Sequence, residues 1–83
     1  MPRCWLVERS YNDRNLVTLV YATPDGKRAV RKELPMTAIS QGTVTVTAAK
    51  TVDEGDLESV ETVERYRREV ARVRESHAPD DEI

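Results

Sequence analysis

The chain has 83 residues, 39% of them hydrophobic and 34% charged, which is room for one small domain and too little for a two-domain enzyme, a channel or a repeat array. Thirteen Lys and Arg stand against fifteen Asp and Glu, a formal net charge of -2, too mild to mark a nucleic-acid binder or an acid-rich disordered tail. The charge is unevenly spread: residues 1–52 carry eight basic and four acidic groups, whereas residues 53–83 carry five basic and eleven acidic ones.

Arg3 to Ser10 reads as a first strand, because Cys4-Trp5-Leu6-Val7 supplies aromatic and β-branched side chains flanked by charge. Asn12-Asp13-Arg14-Asn15 is turn chemistry. Leu16 to Thr23 is the strongest strand signal in the chain. Pro24-Asp25-Gly26 then predicts a three-residue hairpin loop, with proline pre-set for a type I turn and glycine for a positive φ. That loop sets Thr23 opposite Lys27, Val20 opposite Val30 and Leu16 opposite Leu34. The third strand, Lys27 to Leu34, stops at Pro35, which has no N–H for a ladder.

Met36 to Gly42 is too short for its period to decide between a helical turn and a strand. Thr43 to Ala49 alternates Val and Thr as a half-buried strand should. Asp53, Glu54 and Asp56 suit a helix N-terminus, with Asp53 as cap. An amphipathic helix of about twenty residues is predicted to follow and to end near Ser76, with Val63, Tyr66, Val70 and Val73 on one arc. Glu61 with Arg65 and Glu64 with Arg68 are spaced to pair along it. Residues 77–83, with Pro79-Asp80-Asp81-Glu82, read as an acidic flexible tail.

The expected architecture is therefore an α+β domain over residues 1–76, an antiparallel meander of four or five strands with one C-terminal helix. One cysteine, Cys4, permits no internal disulfide and points to a reducing, cytoplasmic setting. The longest apolar window, Leu16 to Ala22, is interrupted by Thr18 and far short of a bilayer span, and the first residues lack the apolar core of a signal peptide.

Little in the chain suggests chemistry. Cys4 and His77 lie at opposite ends, so neither a zinc site nor a nucleophile–base pair is expected, and no cofactor. His77 beside Glu75, Asp80 and Asp81 reads as solvated tail rather than a metal site. Gly26, Gly42 and Gly55 are explained by turns and a helix start, not by a phosphate loop. The carboxylates Glu54 and Asp56 are accounted for by helix-start charge. An enzyme is accordingly not expected.

Two surfaces point to partners. Lys27, Arg28, Arg31 and Lys32 put four cations on one strand that could follow a phosphate backbone, with Trp5, Tyr11 and Tyr21 nearby for stacking. The plainer explanation, favoured here, is that charge on a short edge strand discourages unwanted pairing. The second surface is apolar. Leu16, Val20 and Ala22 point to one side of their strand and Val17, Leu19 and Tyr21 to the other, so both faces are apolar. One helix covers one face. Trp5, Val7, Val17, Leu19 and Tyr21 are thus a candidate interface for a homodimer, unless residues 36–42 fold over it.

Ten Arg against three Lys, eight Thr, eleven Val and no Phe, with the stretches Asp53-Glu54-Gly55-Asp56-Leu57-Glu58 and Pro79-Asp80-Asp81-Glu82, resemble the small uncharacterised proteins of salt-loving archaea. The resemblance is compositional and implies no catalytic residue and no ligand. The functional expectation is a small cytoplasmic interaction module that self-associates or takes another protein as partner. An accessory nucleic-acid-binding protein using the basic third strand is the alternative.

Overall fold

The computed structural model describes residues 2–42 and 45–82. Five strands form one antiparallel sheet in the order β4-β1-β2-β3-β5: β1 Arg3–Tyr11, β2 Leu16–Ala22, β3 Arg28–Pro35, β4 Ala49–Thr51 and β5 Glu58–Ser59. A five-residue helix, α1 (Met36–Ser40), follows β3, and a longer one, α2 (Val63–Ser76), crosses one face near the C-terminus. The fold class is α+β.

The first turn forms as its residues dictate. Asn12 Oδ1 accepts the N–H groups of Arg14 and Leu16, and Asn15 takes a left-handed φ of 62°, which Asn tolerates. Past the turn, β1 pairs with β2 from Tyr11↔Val17 to Glu8↔Val20; a bulge at Val7 then shifts the register to Leu6↔Tyr21 and Trp5↔Ala22. Both Val7 and Glu8 therefore face the α2 side, Val7 packing there and Glu8 bonding to Tyr66.

The second hairpin loop is one residue longer than predicted. Thr23 closes it by pairing with Arg28, whose carbonyl accepts the Thr23 N–H at 2.9 Å. The Thr23 hydroxyl donates to Asp25 and accepts the Arg28 N–H, while Asp25 also accepts the Lys27 N–H. Lys27 thus lies inside the loop. The register moves by one: Val20 pairs with Arg31, Tyr21 with Val30 and Leu16 with Pro35.

Gly26 is required twice over. Its φ is +73°, and a Cβ there would stand 2.5 Å from the Val63 carbonyl oxygen and 2.7 Å from the Arg67 amide nitrogen. The hairpin tip and the start of α2 approach backbone to backbone.

Each face of the sheet has its own core. On the α2 side, Trp5, Val7, Val20, Ala22, Ala48 and Ala49 pack with Val70 and Val73, with Tyr66 at the margin. On the other side, Cys4, Leu6, Val17, Leu19 and Tyr21 pack beneath Val46, Val52 and Leu57, with Met36 and Ile39 of α1 against them. Helix α1, with Val46, Val52 and Leu57 from the chain on either side of β4, is the second cover.

Three predicted elements change. Of the expected strand Thr43 to Ala49, Thr43 and Val44 lie outside the described residues, and only Ala49 enters β4. Val46 belongs to one core and Ala48 to the other, whereas a regular strand would place them on the same face. Asp53 does cap, accepting the Gly55 N–H, but what it caps is a single 3-10 turn, Glu54–Asp56. The chain then extends through buried Leu57 into β5, and α2 begins only at Val63, ending at Ser76. Glu61 precedes the helix, and Glu64 pairs with Arg67 and Glu69 with Arg72, three residues apart rather than four.

The acidic residues 53–61 consequently form a connector rather than a helix, and α2 itself carries five Arg against three Glu. Residues 77–82, expected as a loose tail, are held by backbone bonds. The Ala48 N–H donates to Asp81 O at 2.8 Å and the Ala49 N–H to Pro79 O at 3.0 Å, and Thr47 bridges Glu82.

Candidate functional site

The proposed apolar interface does not assemble. Trp5 and Val7 lie under α2, whereas Val17, Leu19 and Tyr21 lie on the opposite face under Val46, Val52, Leu57 and α1. Alternation from Cys4 to Val7 and along β2 is as expected; the pairing between strands is not, because Trp5 faces Ala22 across the ladder. All five side chains are buried within the chain, Leu19 at 2% exposure. Neither sheet face is open for a face-to-face dimer through these residues.

The basic strand is divided in the same way. Lys27 is in the loop. Arg28 shares the face of Lys32, since residues four apart on a strand point the same way. Arg31, paired with Val20, points to the α2 side, where Glu8 accepts from the Tyr66 hydroxyl at 3.2 Å and meets Arg65 at 3.6 Å. Burial, with the Glu8 carboxylate beside it, pushes the Tyr66 phenol above its usual value, and Arg65 and Arg31 act in the opposite sense. The four cations form no single stripe.

Metal chemistry finds no more support. Cys4 is buried, which raises its thiol pKa, and His77 Nδ1 lies 3.9 Å from Asp81. Among the described residues no three His, Cys, Asp or Glu side chains group as metal ligands, and no helix is long and apolar enough to cross a membrane.

What the fold leaves open is the lower edge of β3. Antiparallel pairing points the backbone groups of alternate residues toward β2 and away from it. The Thr23–Arg28 bond fixes the phase, so Ala29, Arg31, Glu33 and Pro35 point outward. β5 pairs only with Arg28 and Ala29, and Val60 donates to Lys27 O. Beyond that point no described strand lies alongside, and the N–H groups of Arg31 and Glu33 have no hydrogen-bond partner among the described residues. Arg31, Lys32 and Glu33 are all exposed. Sequence reasoning saw the charges but not the open edge, since nothing local announces that β5 is two residues long.

The model of DUF7967, a family of unknown function, matches residues 1–83. The chain belongs to that family. No curated protein matches it, and no solved structure does. Family membership therefore assigns the chain no reaction or ligand, and the functional reading rests on the edge itself.

Proposed function

We propose that this DUF7967 protein is a small self-associating interaction module of the cytoplasm, whose copies join by antiparallel pairing of β3 across a two-fold axis. One observation carries the reading: past Ala29 on β3, the N–H groups of Arg31 and Glu33 face outward with no hydrogen-bond partner among the described residues. With the axis at Lys32, Arg31 of one copy falls opposite Glu33 of the other, and the reverse. Each such pair exchanges two backbone hydrogen bonds. Both side chains lie on the α2 side of the sheet, so opposite charges also meet twice. Pro35, which has no N–H, ends the pairing after a few residues, and the charges favour this register over those that set Arg31 on Arg31 or Glu33 on Glu33.

Backbone bonds contribute about 0.5 to 1.5 kcal/mol each and cross-strand charge pairs about 0.2 to 1 kcal/mol. Association entropy offsets much of this, so the dimer is expected to be weak and concentration-dependent. The test is sedimentation equilibrium of the wild-type protein and of Glu33→Pro. The Glu33 N–H points away from β2, so proline there removes an outward donor and leaves the β2–β3 ladder whole. The expected result is a concentration-dependent dimer for the wild type and a monomer of unchanged melting temperature for the variant. A strictly monomeric wild type at high micromolar concentration overturns the reading.

A further inference from the structure

On the α2 side, the sheet holds a cavity beside the β3 edge. The connector that follows β5 is pinned there, because β5 pairs with Arg28 and Ala29 and the Val60 N–H donates to Lys27 O at 3.0 Å. Between this connector, β3 and the start of α2 lies a space of about 490 Å³. Its floor is apolar: Val20 belongs to the α2-side core and Ala29 packs against it. One wall is the ring of Tyr66, fixed by its hydroxyl, which donates to Glu8 at 3.2 Å. Charges of both signs line the rest. Arg31 and Ala29 are two apart on β3 and share a face; Glu58, opposite Ala29 on β5, shares it too. Arg31 and Glu58 are therefore diagonal neighbours about 7 to 8 Å apart, and Glu61 joins them from the connector. Among the described residues none of these three forms an ion pair.

A guanidinium fork matches a planar carboxylate, and carboxylates accept from an ammonium. A simple anion here would face two glutamates, and a simple amine would face Arg31. One small molecule that carries both charges close together, with an apolar side chain to lie on Val20, Ala29 and the Tyr66 ring, suits every group at once. That molecule is a free α-amino acid. An apolar cavity of about 150 Å³ accepts benzene, so this larger one has room for a bulky side chain as well as the two charged groups. We propose that the groove binds an α-amino acid with a large apolar side chain, Arg31 holding its carboxylate and Glu58 with Glu61 its ammonium. The site lies within one copy, so the inference goes beyond the edge-to-edge dimer and does not depend on it, although Arg31 serves both.

The test is a calorimetric titration of the dilute protein with L-phenylalanine, against hydrocinnamate, phenethylamine and glycine, which lack the ammonium, the carboxylate and the side chain in turn. The expected result is saturable binding of L-phenylalanine, with each control weaker by about tenfold or more. Arg31→Gln is expected to weaken L-phenylalanine by about tenfold without weakening phenethylamine, and Glu58→Gln with Glu61→Gln to weaken L-phenylalanine without weakening hydrocinnamate. Lys32→Ala, on the other face of the same strand, should leave all four ligands unchanged. The titration is repeated in Glu33→Pro, where binding at wild-type strength places the site in a single copy even if the wild type proves never to dimerise. No saturable binding of L-phenylalanine overturns the proposal. So do controls that bind as well as L-phenylalanine, an Arg31→Gln variant of unchanged affinity, or loss of binding in Glu33→Pro.

Discussion

The two edges of this sheet are treated in opposite ways. At the start of β4 the chain's own C-terminal residues take two donors, with Pro79 and Asp81 carbonyls accepting from Ala49 and Ala48. On β3 a two-residue strand covers Arg28 and Ala29 and then stops, leaving Arg31 to Pro35 bare. An edge can be protected by cover or by charge; here one edge has the cover and the other has the charge. Charges of both signs, two residues apart on one face, repel most partners but suit an inverted copy of themselves.

The largest effect is expected from Leu19→Arg. Were its face an interface, the variant would be a folded monomer; buried beneath Val46, Val52 and Leu57, an unpaired guanidinium there is expected to unfold the chain, seen as loss of a cooperative melt. Gly26→Ala comes next. It forces a side chain against the Val63 carbonyl at a positive φ and is expected to cost about 2 to 4 kcal/mol in denaturant melts. Retention of full stability would show that α2 does not seat on the hairpin tip.

Ending the chain at His77 removes the cover from β4 while leaving β3 as it is. The expected loss of stability is about 1 to 2 kcal/mol, but light scattering should show species larger than a dimer, since two open edges allow open-ended assembly. A truncated chain with the wild-type mass would break the contrast between the edges.

Much of the fold was legible locally. Strand positions up to Leu34, the Asn12–Asn15 turn, the alternation of β2 and the end of α2 at Ser76 all follow from side-chain type and period. What the sequence did not reveal depends on contacts made at a distance. The Thr23 hydroxyl lengthens a loop by one residue, and that moves Val20 from Val30 to Arg31. The Val7 bulge and the Trp5↔Ala22 pairing send Trp5 and Val7 under the helix. Leu57 is drawn into a core, which turns an expected helical turn into an extended connector. The candidate site suffered most, because a surface patch is defined by register across strands, and one slipped residue exchanges faces.

The smallest expected effect is on pH dependence. Lys50 titrates near 8 when folded against 10.5 for an ordinary lysine, so between those values the folded chain binds fewer protons than the unfolded one. Stability should therefore rise with pH in that window, with the penalty fully present below about pH 8. Arg9, Lys32 and Tyr21 are the charged or titratable groups around it. Above pH 9 the raised pKa values of Cys4 and Tyr21 act in the opposite sense, so denaturant melts at pH 7, 8 and 9 are the clean comparison. A flat profile would mean that Lys50 is freely solvated.

The edge-to-edge dimer is tested most directly by mixing two variants. Arg31→Glu presents two acids at the pairing positions and Glu33→Arg presents two bases, so each repels its own copy, yet every pairing position in a one-to-one mixture joins an acid to a base. Sedimentation is expected to find each variant monomeric alone and the mixture dimeric with wild-type affinity or better. If the mixture stays monomeric where the wild type is dimeric, or if either variant dimerises alone, β3 is not the joint.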